Sequence, residues 1–356
     1  MAKLLRNAHP SRSLVIAALA TIVSFGCSEA SRPAQGGDPP ASPQFASRTA
    51  ASQSPDQSPP VSAGLAYVVN QNSDDIGVID LDARTVVSRI PTGRNPHEIA
   101  VSPDKTHLFT SDEQGGTITV VGVQTREVVA RWGGGASPHG IEVTQDGAYV
   151  LVTNGPRGAV LVLDRQTGEV VRQIPAEIGA HLIHLGPDGT RAYVTNPAHG
   201  SLTIIDVARF EKLRTVMMGS GAEGLGVSPD GRWVYVANRG ADDVSVLDTS
   251  SDTVVDRIPV HTEPIRIIFS PDSTTAYVSQ IAGEQILTID TATRRVTGSF
   301  RAGSGPIGMA LNRDGSLLYA ANIFGGDLSV IDTRTGTLLA AIPAGSGPDG
   351  MVLIEN

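Results

Sequence analysis

A period of 42 residues runs through this chain without slipping. One short apolar run is closed by Asp80, Gly122, Asp164, Asp206, Asp248, Asp290 and Asp332, each 42 positions after the last. Ten positions earlier the same beat carries Asn70, Asp112, Asn154, Asn196, Asn238, Gln280 and Asn322. A third column, Asp104, Asp146, Asp188, Asp230, Asp272 and Asp314, falls in turns. A fixed period of this length with strand-like content restricts the chain to a propeller or a solenoid.

One copy shows the grammar. Pro229, Asp230 and Gly231 form a turn, and residues 233–238 alternate as a strand. Residues 244–248, 253–259 and 265–270 supply three more short strands separated by turn residues. Four strands of this length joined by tight turns make one antiparallel sheet. Such sheets arranged radially make an all-β propeller. The chain begins its repeats with the strand that ends in Asn70 and finishes with the strand that normally precedes it. The last strand therefore pairs with the first three, and the ring closes as seven four-stranded antiparallel blades with no free edge.

The motifs that carry the period resemble a known family. Residues 193–196 spell YVTN, and residues 67–70, 235–238 and 277–280 are close variants. With the SPDG turn at 228–231 and the VIDT strand at 330–333, the chain resembles the YVTN family of seven-bladed propeller repeat proteins. The resemblance covers the whole repeat portion, residues 64–356. It also implies kinship with the haem d1 domain of nitrite reductases and the propeller of nitrous oxide reductase, which share this architecture. It implies a scaffold and no particular chemistry.

The N-terminus reads as an export signal over residues 1–27. Lys3, Arg6 and Arg12 precede an apolar stretch, residues 13–25, too short to span a bilayer. The only cysteine, Cys27, follows in Ser24-Phe25-Gly26-Cys27, which resembles a lipobox with Cys27 as the lipidated residue; Ser24 departs from it. Cleavage after Ala30, giving a soluble periplasmic or secreted protein, is the alternative. Ser28 resembles an outer-membrane sorting signal, which would leave the protein anchored in the cell envelope, facing periplasm or cell surface. Residues 28–63 are Ser, Pro, Ala, Gln and Gly with few large apolar side chains, the composition of a flexible tether. A net charge of −9 with no Lys/Arg cluster excludes nucleic acid as partner and limits membrane contact to the lipid anchor.

Functional residues on a repeat scaffold stand where copies differ. Asp and Asn columns present in nearly every blade fix turns and are scaffold. The start of the innermost strand behaves otherwise. In ring order it reads Asp349, His97, His139, His181, Glu223, Ile265, Ile307. In the family this strand lines the central channel and starts at its mouth. Imidazole and carboxylate are the ligands of Cu, Zn or Fe. The expected metal set is therefore His97, His139, His181, Glu223 and Asp349, or the same histidines on a haem d1-like tetrapyrrole. A ring of polar groups at a wet mouth is also stable with no ligand, and repeated duplication accounts for copied histidines.

The loops on the same face supply His199, His261, Arg157 and Arg239. Arg266 replaces a recurrent Gly (Gly140, Gly224, Gly308, Gly350), and these arginines are candidates for an anion. His184 faces the channel lower down or the blade interior, and His107 faces solvent at the opposite end. No Cys-x-x-Cys-His, Gly-x-Ser-x-Gly or phosphate loop occurs. The leading expectation is a monomeric binding scaffold for a protein, peptide, glycan or small molecule at the mouth. A metal or tetrapyrrole protein comes second, and a lactonase-like hydrolase third.

Overall fold

A computed structural model describes residues 64–355. The segments expected as an export signal (residues 1–27, with Cys27) and as a tether (residues 28–63) lie outside the described residues. What is described is a ring of seven four-stranded antiparallel sheets. The only helical element among these residues is one 3-10 turn, Gly155–Arg157.

Each blade places four strands from the axis outward, and their burial explains their composition. The second strand of a blade, such as Leu65–Asn70 or Trp233–Asn238, is buried on both faces because a neighbouring blade covers each side. It therefore reads as a near-continuous apolar run. The outermost strand, such as Thr85–Pro91, alternates between exposed and half-buried residues along most of its length. Seven clusters of buried apolar residues lie in and between the blades, so the core is a ring rather than a ball.

Closure follows the sequence expectation. Leu65 pairs with Ile354, Tyr67 with Val352 and Asn70 with Pro348. The C-terminal strand Pro348–Ile354 is thus the innermost strand of the blade whose other three strands begin the repeats.

The recurrent polar columns do structural work. Asp80 Oδ1 accepts the backbone N–H groups of Asp82 and Ala83 at 3.0 and 2.8 Å, and Asp164 repeats this with Gln166 and Thr167. The Asn column is buried. Asn238 Nδ2 donates to Asp243 at 2.6 Å and to Ser245 at 2.7 Å, and Asn322 bonds Asp327 and Ser329 in the same way. A Cβ on Gly219, in the loop joining two blades, would lie 2.6 Å from the Asn238 side chain, so that loop needs glycine.

Candidate functional site

The inner strands start one residue before the variable column, at Pro96, Pro138, Ala222, Pro264, Pro306 and Pro348. The strand of the fourth blade in ring order is short, Ile183–Leu185, and His181 precedes it. In the other six blades the ladder skips the column. Pairing passes from Pro96 to Glu98, from Pro138 to Ile141, from Ala222 to Gly224 and from Pro264 to Arg266. The skipped residues form β-bulges, the device that re-aims a side chain in an otherwise regular sheet.

A hydroxyl from the neighbouring blade holds several bulges in place. Thr153 Oγ1 donates to the His181 carbonyl at 2.6 Å and Thr195 Oγ1 to the Glu223 carbonyl at 2.7 Å. Ser279 Oγ does the same for Ile307 at 3.0 Å, and Ser111 Oγ for His139. These hydroxyls stand one residue before the Asn column. One polar position thus ties the turn scaffold to the channel.

The three imidazoles crowd together as tilted rings, with interplanar angles of 40° and 33° between neighbours. The His97 and His139 ring centroids are 3.6 Å apart, as are those of His139 and His181, and His97 lies 6.2 Å from His181. Burial drives His139 and His181 well below ordinary imidazole basicity, and neighbouring imidazoles and Arg266 add to it. His97 differs. Burial opposes its charge, but Asp349 at 2.8 Å and Glu98 outweigh burial and Arg266, so its basicity rises. Asp349 is fully buried; burial alone would raise its pKa, but His97, Arg266 and Gln71 hold it low. Gln71 Nε2 donates to Asp349 at 2.6 Å and lies 3.1 Å from His97 Nε2.

The five residues expected as metal ligands share no single point. Among the described residues the compact group of donor atoms, all within 4.8 Å of one another, is His97, Glu98 and Asp349. That group already holds a cation. Arg266 Nη2 lies 2.7 Å from Glu98 and 3.7 Å from Asp349. A divalent ion there would face a buried guanidinium and an imidazole with raised basicity, so the residues as placed do not fit one.

Two anion-site expectations are corrected by pairing. Arg266 is buried against Glu98 and Asp349. Arg239 is taken by Glu263 at 2.7 Å and stands 3.7 Å from Glu223. Glu223 thus turns toward the rim rather than completing a ligand set. Arg157 is exposed in the 3-10 turn, and His199 and His261 are exposed in rim loops. His199 borders a surface cavity of about 380 Å³ with Met217 and Arg257. His107 is half-buried at the far end of its blade rather than fully solvent-facing.

A cavity of about 250 Å³ begins one layer below the column. None of the seven column residues lines it. Its polar groups are Glu98, Arg266, Glu142 and His184. Burial, reinforced by Glu98, pushes Glu142 up to about 8, while Leu185 and Val143 amides partly offset this. Burial and then Arg266 push His184 down to about 4. Glu98 rises with burial, against the pull of Arg266. Sequence reasoning passed over Glu98, Glu142 and Gln71. The first two had a visible signal: each breaks a column otherwise rich in small or apolar residues.

Comparison with known proteins sets these features in context. The model described as the cytochrome D1 haem domain matches residues 62–181, and that of the seven-bladed β-propeller lactonase matches 173–297. No curated protein matches the chain in sequence. Among solved structures, Kuenenia stuttgartiensis hydrazine synthase is 22% identical with a TM-score of 0.65, covering 73% of this chain and 95% of that one. A functionally unknown protein from Desulfotomaculum acetoxidans is 18% identical with a TM-score of 0.73, covering 82% and 99%. The dihydro-haem d1 dehydrogenase NirN in complex with DHE is 18% identical with a TM-score of 0.63, covering 85% and 77%. At these identities the solved structures establish the architecture alone. Closed ring and comparisons together identify a seven-bladed β-propeller, similar in its first part to cytochrome D1 haem domains and in its middle to the lactonase propeller.

Proposed function

We propose that this protein is an exported binding propeller that takes a small ligand in its central channel. The observation that carries the proposal is a pair of buried ring nitrogens without hydrogen-bond partners at the closed end of the channel, His139 Nδ1 and His181 Nδ1. Leaving such groups unpaired costs stability, and a core position would normally exchange them for apolar atoms. A cavity opens immediately beneath them. Rigid blades with a variable axial column suit such a site. Lipidation at Cys27 would hold the propeller at an envelope membrane; Cys27→Ala would then release it from the membrane fraction.

The test uses full-length protein purified without added metal. It is titrated with Zn(II), Cu(II), Fe(II) and haem, and screened against small polar molecules by thermal shift. Ligand-dependent stabilisation that weakens at least tenfold in His139→Ala and His181→Ala supports the proposal. Melting that no ligand class alters, or shifts that survive these two substitutions and Glu142→Gln alike, overturns it.

A tetrapyrrole-binding propeller is the second reading, because the cytochrome D1 match includes His97, His139 and His181. The donor type suits iron, since two of the three imidazoles are kept neutral. Their placement does not: the rings cover one another and the Nδ1 atoms are buried. The visible spectrum in the haem titration decides the matter. Lactone hydrolysis has less support, since Glu223, Arg239 and Glu263, within the lactonase match, are engaged with one another.

A further inference from the structure

We propose that the cavity beneath the Glu98–Arg266 pair is a binding chamber for a small organic ammonium ion, with Glu142 as counter-ion and His184 as second hydrogen-bond acceptor. The inference rests on the channel as the ligand site and names the class of ligand.

The geometry starts from a crossbar. Glu98 and Arg266 stand on inner strands three blades apart and meet at 2.7 Å. Both line the chamber, and none of the three imidazoles of the column does. Below them the chamber wall is largely apolar or small: Ala100, Gly140, Leu182, Ile268, Gly308 and Val352. Glu142 and His184 come from adjacent inner strands at equivalent positions and are the polar groups of that wall.

Charge then decides what fits. With Glu223 balanced by Arg239 toward the rim, the lumen holds three further carboxyls, Asp349, Glu98 and Glu142, against two basic groups, Arg266 and His97. Arg266 reaches Glu98 and Asp349, and His97 reaches Asp349. The lumen is one positive charge short, and Glu142 carries the shortfall by keeping its proton, with Glu98 repelling its charge. An incoming cation supplies the missing charge. An anion does not fit, because Glu98 and Glu142 face the space and Arg266 is already paired. A metal ion does not fit, because Glu142 and His184 belong to no compact donor group among the described residues. Glu142 is held by the amides of Leu185 and Val143. Its remaining lone pairs, and the neutral imidazole of His184, can accept from an ammonium group.

Size sets the body of the ligand. The chamber is about 250 Å³. An apolar cavity of ~150 Å³ accommodates benzene, so a four- to six-carbon amine fits with its ammonium at Glu142 and its body against the apolar wall.

The experiment compares probes of one shape and different charge on the full chain. Cyclohexylammonium and n-butylammonium are titrated beside cyclohexanol, n-butanol and butyrate, with calorimetry in two buffers of different ionisation enthalpy. The amines are expected to bind at least tenfold more tightly than the alcohols and to release a proton near neutral pH. Glu142→Gln, similar in shape to the neutral acid, should abolish that release and weaken amine binding at least tenfold. His184→Ala should weaken it less. Alcohols binding as well as amines, or amine affinity retained in Glu142→Gln, overturns the proposal. Amines that fail to bind while other ligands act through His139 also overturn it, and leave the channel reading standing. The comparison of probes on the unmodified protein needs no variant to fold.

Discussion

The carboxyls of the outer turns and those of the lumen are the same chemical group put to opposite uses. Asp146, Asp164, Asp206, Asp248, Asp290 and Asp332 are held below the usual carboxylate range, chiefly by side-chain or backbone hydrogen bonds within their own turns. Glu142 is pushed up to about 8 by burial and by Glu98. In the turns the chain supplies donors within two or three residues and water covers the rest. In the lumen the supply of charge is shared among blades and falls short. A repeat can copy the first arrangement indefinitely. The second depends on which residue each blade brings to the axis, and it exists once.

The sharpest way to break this contrast is to remove the lumen cation. Arg266→Ala leaves Glu98 and Asp349 buried without it and is expected to destabilise the ring by about 3–5 kcal/mol. Denaturant unfolding checks this, and pairing Arg266→Met with Glu98→Leu should recover much of the loss.

The next test is pH. An unfolded Glu142 ionises near 4.5 and the folded one near 8. Between these values the folded chain keeps a proton that the unfolded chain has released. Stability therefore falls as pH rises from about 4.5 and levels off past about 8, a loss on the order of 5 kcal/mol. Glu142→Gln should remove that slope; an unchanged pH profile in the variant would contradict the placement of Glu142. The turn carboxylates run the other way. Their depressed pKa values give stability that is present above the unfolded value and lost as pH falls through the folded one.

Breaking the scaffold should cost less at each point. Asn238→Ala removes bonds to Asp243 and Ser245 in a buried site and should cost about 1–3 kcal/mol. Asp164→Ala removes solvent-facing turn bonds and should lower Tm by about 2 °C or less, with ligand binding unchanged. A turn substitution that abolished binding would show that the two regions are not separable.

Much of this was legible in the residues. The period and the strand alternation determine seven four-stranded blades, and the order of motifs at the two ends determines closure, as the pairing of Tyr67 with Val352 bears out. The column Asp349, His97, His139, His181, Glu223 was also legible, because laying copies over one another exposes whatever fails to repeat. Its geometry was not. Column membership says that three imidazoles approach the axis, and it does not say that their rings pack at 3.6 Å instead of converging on one point. Glu98, one residue further on, also breaks its own column, but nothing in the spacing pairs it with Arg266.

By itself the sequence determined architecture, scaffold and axial layer, because each follows from local alternation and from spacing within a 42-residue period. Only the tertiary structure decided the pairing across the channel. Glu98 and Arg266 are 168 residues apart, and whether they meet depends on bulges that re-aim the strands, on the closed ring and on the width small residues leave at the axis. No local rule encodes that contact, because electrostatic pairing in a buried lumen is settled by three-dimensional distance, where the chain's own order no longer counts.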